Sequence, residues 1–409
     1  MTVRRAADGM RLTRRDAMRL LGVATGFGAA AAVEGNELLA WLQRRATSAP
    51  GRFPRGATSV PGRIPRGAVI RTLLKDVPPD ALGSGAMLFH EHLSINLAGL
   101  GGGGGAGRAG QPGGQPAAGQ GAGRGRGRGG PPLPPATDDI ELMVQLVQKA
   151  GSEGVSCIVD GGHPDMGRKL DNLKQIAMRT NVHIVASGGF YMNRSYPPDV
   201  ASKSEDQLAA DLARDAREGR LGAFGEIGED PNGSELTLNE RKVFRAIGKA
   251  QVLTGLPVFT HNSYGTGMNV PRDIGLQQLD LLESAGAKPE HIVIGHTCCL
   301  DDPDVTIIKE IAKRGAFVGF DRVTTVQNIM PDEKKVAMVL KFLEAGYADN
   351  LMLAADFTGQ RTIGAGPGYG RTLTVFVPLL RKAGVSDATL NTILHDNPRR
   401  FLAFVPKKA

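Results

Sequence analysis

At 409 residues and 41% hydrophobic content, the chain exceeds one average domain yet suits a single α/β barrel with a full core. Its formal charge of +8 is uneven: residues 1–72 carry thirteen basic and four acidic side chains, residues 99–136 carry four arginines and no acid, and the rest is left at −5. The foldable part is mildly acidic, so the basic balance gives no reason to expect a nucleic-acid-binding core; three cysteines make no disulfide framework, and no run approaches the roughly 18 apolar residues of a membrane-spanning helix.

In chain order, "RLTRRDAMRLLGVATGFGAAAAV" pairs Arg14 and Arg15 after Thr13. A weakly apolar stretch from Leu20 to Val33 follows and ends in small residues. That order predicts a twin-arginine signal over residues 1–33, read by the twin-arginine export machinery and sending a folded chain to the periplasm or beyond. Residues 34–67 read as a Pro/Gly/Arg-rich linker with the duplication "PGRFPRG" and "PGRIPRG". Residues 68–409 read as one catalytic domain. Near its start, "MLFHEHLSINL" places His90 and His92 two apart, on one face if the segment is a strand. A low-complexity insertion, 99–136, comes next. Almost without apolar side chains, it cannot offset its ordering entropy, so a mobile loop is expected. Its "RGRGRGG" piece lacks the aromatics that would stack bases, and no nucleic-acid partner is expected.

The remainder alternates. Short apolar runs ("VSCIVD", "VHIVAS", "GAFGEIG", "LPVFTH", "HIVIGH", "AFVGFD", "NLMLAAD") are separated by helical patterns such as "ELMVQLVQKA" and "KKVAMVLKFLEAG", several closing on glycine. Continuous apolar strands imply a parallel sheet buried on both faces. With "MLFHEH" there are eight, which predicts a (β/α)8 TIM barrel, with a doubly wound sheet as the alternative.

Polar residues fall at the C-terminal ends of these runs, where barrel enzymes build their sites. His90 and His92 close the first run, Glu226 the fourth, His261 the fifth, His296 the sixth and Asp356 the eighth. One strand-end histidine is ordinarily structural, but four histidines and two carboxylates at five strand ends, all aimed at one mouth, predict a metal centre. Imidazole and carboxylate donors suit zinc, manganese, cobalt or iron.

The set "LFHEHL", "GVSCIVDGG…GRKLDNLKQIA", "TGLPVFTHN", "HIVIGHTCCLDD", "GAFVGFDRV", "AGYADNLMLAADF" and "NPRRFL" resembles the phosphotriesterase and phosphotriesterase-like lactonase branch of the amidohydrolase superfamily, from about Arg71 to about Val405. The resemblance implies two divalent metal ions, zinc foremost. His90, His92 and Asp356 would hold the buried ion, His261 and His296 the more exposed one, and Glu226 would bridge them in place of the carboxylated lysine of many relatives. It implies a bridging hydroxide that attacks a lactone or ester carbonyl, or a phosphotriester, with Asp356 taking the proton. It also admits a homodimer and a small-molecule ester, lactone or organophosphate substrate.

Around that centre, Arg322 matches an arginine that orients lactones in the lactonases, against the plainer reading of a salt bridge with Asp321 or another acid. Tyr191 matches a tyrosine near the metals, against simple packing. His163 either lines the pocket or makes a loop hydrogen bond. Cys298 and Cys299 read as packing residues with reduced thiols, and His183, His291 and His395 have no catalytic role. After Asp356, "FTGQRTIGAGPGYGRTLTVF" reads as a glycine-rich loop at the mouth. Two other functions fit less of this pattern: a TatD-like phosphodiesterase or nuclease, on "GEIGED", and a binding protein that kept the barrel without turnover.

Overall fold

The structure, a computed structural model, describes residues 63–97, 134–230, 235–264 and 271–407. The twin-arginine segment, nearly all of the linker and nearly all of the 99–136 insertion lie outside the described residues.

Eight parallel strands follow one another in sequence order: β1 (Ala86–Glu91), β2 (Val155–Asp160), β3 (His183–Gly188), β4 (Ala223–Ile227), β5 (Val258–Thr260), β6 (Ile292–Ile294), β7 (Phe317–Phe320) and β8 (Leu351–Leu353). Every residue of β4 to β8 is buried, as a sheet covered on both faces requires. Hydrogen bonds beyond the named strands close the ring, with Asp356 N–H donating to His90 O at 3.2 Å and His92 N–H to Phe357 O at 2.9 Å. The expected (β/α)8 barrel is the architecture.

The intervening helices are α1 (Ile140–Ser152), α2 (Leu170–Met178), α3 (Glu205–Glu218), α4 (Leu238–Thr254), α5 (Ile274–Ser284), α6 (Thr306–Lys313) and α7 (Asp332–Glu344). Their starts are chemically marked. Asp139 accepts Leu142 N–H to cap α1, Ser204 and Gln207 form a capping box on α3, and Thr237 and Glu240 form another on α4. After α4 the chain turns at Gly255 (φ +80), the left-handed C-cap that glycine takes without a Cβ penalty.

Met87, Phe89, Val159, Ala223, Phe259 and Met352 meet in one buried cluster, which Phe401 and Leu402 join from the C-terminal helix Asn397–Leu402. A two-stranded antiparallel ribbon, Ile70–Arg71 with Asp76–Val77, adds Ile70 and Val77 to the same cluster, and paired backbone bonds join Val69 to Phe404 beside it. The glycine-rich stretch after Asp356 is not loop to its end: Gly368–Gly370 makes a 3-10 turn and Thr372–Phe376 is helical.

Candidate metal centre

Two strands carry a register irregularity where site residues emerge. Between Leu88 and Glu91, β1 advances three residues against two on β2 (Ile158 to Asp160); between Phe224 and Ile227, β4 does the same against β5 (Val258 to Thr260). An extra residue reverses which side chains face inward. Below the irregularity Met87 and Phe89 join the core; above it His90 and His92 turn to the axis, and in β4 Glu226 follows core-facing Ala223. The remaining donors lie just past strand ends: His261 directly after β5, His296 two residues after β6, Asp356 three after β8. His296 (φ +54) and Asp356 (φ +50) are left-handed without being glycine. Such conformations cost about 1–3 kcal/mol each and persist where a site over-determines them. Gly161 floors the histidine pair, because a Cβ there would sit 3.0 Å from His92 Cε1 and 3.2 Å from His90 Cδ2.

All six expected ligands converge. Glu226 lies between two groups: its Oε1 is 3.2 Å from His92 Nε2, while its Oε2 is 2.8 Å from His261 Nδ1, 3.3 Å from His90 Nε2 and 3.5 Å from His296 Nε2. Asp356 Oδ1 is 3.1 Å from His92 Nε2 and 3.8 Å from His90 Nε2. Two donor groups result, His90/His92/Glu226/Asp356 and Glu226/His261/His296, sharing the glutamate. A third grouping, His90/His296/Asp321, uses the far side of the imidazoles. Asp321 Oδ2 meets His90 Nδ1 at 2.8 Å, and its Oδ1 meets His296 Nδ1 at 3.0 Å and accepts His296 N–H at 2.6 Å. A carboxylate so placed orients the rings and leaves Nε2 for the centre. Arg322 therefore does not pair with Asp321, whose oxygens are taken; its Nε donates to Asp356 Oδ2 at 2.9 Å instead.

The charge balance is that of a cation site. Glu226, Asp356 and Asp321 face a single arginine, all buried or nearly so. Burial opposes charging the imidazoles. Yet Glu226 and Asp321 hold His90 well above its ordinary range, and Asp356 and Glu226 push His92 up to about 10. His261 goes the other way, down to about 4, because burial prevails and His296 and Arg322 lie beside it. With its imidazoles neutral the centre would hold more negative than positive charge, and that surplus draws protons onto His90 and His92; His90 Nε2 makes no well-aligned hydrogen bond, Glu226 Oε2 lying 3.3 Å away. Borderline imidazole and hard carboxylate donors with a surplus of anion fit divalent metal ions.

Around the donors, Tyr191 packs its ring edge-on to His261, centroids 4.9 Å apart, and burial keeps its phenol neutral. Arg322 is 8% exposed, and its Nη1 is a buried donor with no partner. His163 is fully buried and bridges Asp165 Oδ1 (2.7 Å) to Glu226 O (2.9 Å), a supporting bond of the kind weighed against pocket lining. Asp165 in turn accepts Tyr191 N–H. Asp160 accepts the N–H groups of Leu93 and Ser94 at the end of β1. Cys298 and Cys299 are free and buried, and Cys298 Sγ accepts Arg322 N–H at 3.3 Å. His183 and His291 precede or begin their strands, and His395 reaches Gly83 O, away from the centre.

A family model described as the phosphotriesterase family matches residues 70–402. The phosphotriesterase homology protein of Escherichia coli (strain K12) is 31% identical over 272 residues, 64% of this chain and 89% of that protein. A crystal structure of the Escherichia coli protein, with phosphate in its active site, superposes with a TM-score of 0.64 at 28% identity, covering 78% of this chain and 99% of that one. The aryldialkylphosphatase of Saccharolobus solfataricus is 30% identical over 277 residues, 64% of this chain and 84% of that protein. The N-acetyltaurine hydrolase of Dictyostelium discoideum is 27% identical over 287 residues, 66% of this chain and 74% of that protein.

Proposed function

We propose that this chain, which belongs to the phosphotriesterase family, is a two-metal hydrolase that cleaves a lactone or carboxylic ester. The observation that supports the reading is the shared carboxylate: one oxygen of Glu226 faces His92 and the other faces His261, His90 and His296, so a single side chain reaches both donor groups. His90, His92 and Asp356 would hold one ion, His261 and His296 the second, with Glu226 available to both. Divalent ions so held supply a nucleophile at neutral pH by acidifying water, and polarise the bond under attack.

The chain's own residues supply the rest. Asp356 faces the donors through Oδ1 and Arg322 through Oδ2, so a proton released at the centre has a carboxylate to receive it. Despite burial, His92 and Arg322 hold that carboxyl well below the usual range. Arg322 keeps Asp356 oriented through Nε and leaves Nη1 free for a substrate oxygen. Tyr191, neutral at working pH, bounds the pocket beside His261 and has a hydroxyl to donate. Relatives that act on an aryldialkyl phosphate and on N-acetyltaurine place phosphotriesters and amides in the same screen.

The test is elemental analysis of chain purified without chelator, beside Glu226→Ala, followed by turnover assays on lactones, aryl esters, phosphotriesters and a plain oligonucleotide. Two ions per chain, lost in the variant, with lactone or ester hydrolysis, is the expected result. Wild-type chain without metal would end the hydrolase reading. Metal without turnover of any substrate would favour a binding protein, and cleavage of the oligonucleotide alone a nuclease.

A further inference from the structure

Glu91, the residue between His90 and His92, would touch no metal, since its side chain points away from theirs. It is fully buried, and both its oxygens are used: Oε1 accepts Ala355 N–H and Oε2 accepts Phe357 N–H, each at 2.8 Å. Those two residues bracket Asp356. The reason they need a side-chain acceptor is local. Asp356 is left-handed (φ +50), so the chain there leaves strand geometry. The backbone seam between β1 and β8 is then reduced to two bonds, Asp356 N–H to His90 O and His92 N–H to Phe357 O. Without the carboxylate, two buried N–H groups would have no acceptor at the point where the barrel closes. The four bonds alternate across one short seam and connect three donors of the centre: His90 and His92 through Glu91's own chain, and Asp356 through its two neighbours.

We propose that Glu91 is a positioning residue that locks Asp356 in its left-handed conformation and so fixes the spacing of Asp356 from His90 and His92. The proposal rests on the two-metal reading above. Gln cannot satisfy both N–H groups, because its amide NH2 would oppose one of them as a second donor. Asp keeps the carboxyl group but is one methylene too short to reach both.

The experiment is zinc titration of the full chain against a chromophoric chelator, with melting temperatures measured with and without zinc. It compares wild type, Glu91→Gln, Glu91→Asp, Asp356→Gly and the double variant Glu91→Gln/Asp356→Gly. We expect both Glu91 variants to bind zinc on the order of 10–100-fold more weakly than wild type, with a smaller melting shift on zinc addition. In the Asp356→Gly background, Glu91→Gln should cost no further zinc affinity, because the ligand it positions is gone. A Glu91→Gln chain that melts earlier but binds zinc as tightly as wild type would overturn the proposal. So would folding of Asp356→Gly where neither Glu91 variant folds, since Glu91 would then serve closure alone. Wild-type chain that binds no zinc would remove the two-metal reading, and the proposal with it.

Discussion

Asp321 takes Nδ1 of both His90 and His296, which sets the tautomer of each ring and points both Nε2 lone pairs at the centre. Asn at this position could accept from one imidazole and would oppose the other with its amide. Asp321→Asn is therefore expected to fold and to bind zinc on the order of 10–100-fold more weakly in a chelator competition; unchanged affinity would remove the orienting role. The six donors were legible in the sequence because a polar residue ending an apolar run is a local signal. Asp160 and Asp321 end their runs, "VSCIVD" and "AFVGFD", in the same way, but neither belongs to the ligand set that the resemblance implies, and nothing local marks either as a support. Glu91 stood in plain view between two ligands, but its partners lie more than 260 residues on. No spacing rule reaches that far. For Arg322 the sequence offers Asp321 or another acid, and the pairing with Asp356 follows from the histidines' prior hold on Asp321, which only the fold shows.

The loops that carry the centre are tied to one another by buried carboxylates, and these give the elements a pH response of their own. Glu229, after β4, accepts Ser263 N–H at 2.7 Å and Gln278 Nε2–H at 2.9 Å, and Gln278 also donates to His261 O at 2.7 Å. The loop after β4 thereby holds the loop after β5 and the start of α5. Burial pushes the Glu229 carboxyl up to about 8 from its usual 4.5. A folded-state value above the unfolded one means that the native chain holds the proton longer. Stability attributable to this group is then fully present below about pH 4.5, falls as pH rises towards 8 and is level above it. Glu229→Gln has no proton to lose, so its stability curve should be flatter across that interval. Denaturant unfolding of both chains at several pH values between 5 and 9 checks this, and two parallel curves would show that Glu229 is ionised throughout. Nothing in the sequence announced this link, whose partners lie 34 and 49 residues on; "GEIGED" marks Glu226 as the strand-end acid without showing what turns it to the axis. The bulge at Gly225–Glu226 decides that, and bulges have no reliable signature in an apolar run.

Across the whole chain, eight apolar runs became eight strands in order, since each read as a short continuous apolar run set off by helical patterns. The two-residue strands of the N-terminal ribbon and the short helices after β8 were not legible, being too brief for periodicity to appear. The long insertion remains the largest departure from a plain barrel, and its flanks limit what it can contribute. Ile95 N–H donates to Thr137 Oγ1 at 3.3 Å, and Thr137 Oγ1–H returns to Ile95 O at 2.8 Å. The chain therefore leaves and re-enters the fold at touching points, and a short bridge can join them without distortion. Closing a flexible loop costs entropy that grows with the logarithm of its length. Replacing residues 99–133 by about six glycine and serine residues shortens it roughly sixfold, a stabilisation of about 1.5 kcal/mol. The excised chain should keep its full metal content, because every donor and every supporting carboxylate lies outside the segment. Any change in catalysis should appear in KM, since the connection from β1 to α1 opens on the barrel face where substrate enters. Denaturant unfolding, metal analysis and steady-state kinetics on the excised chain decide the matter. Lost metal or lower stability would mean that residues 99–133 are a working part of the fold, packed against it rather than tethered to it.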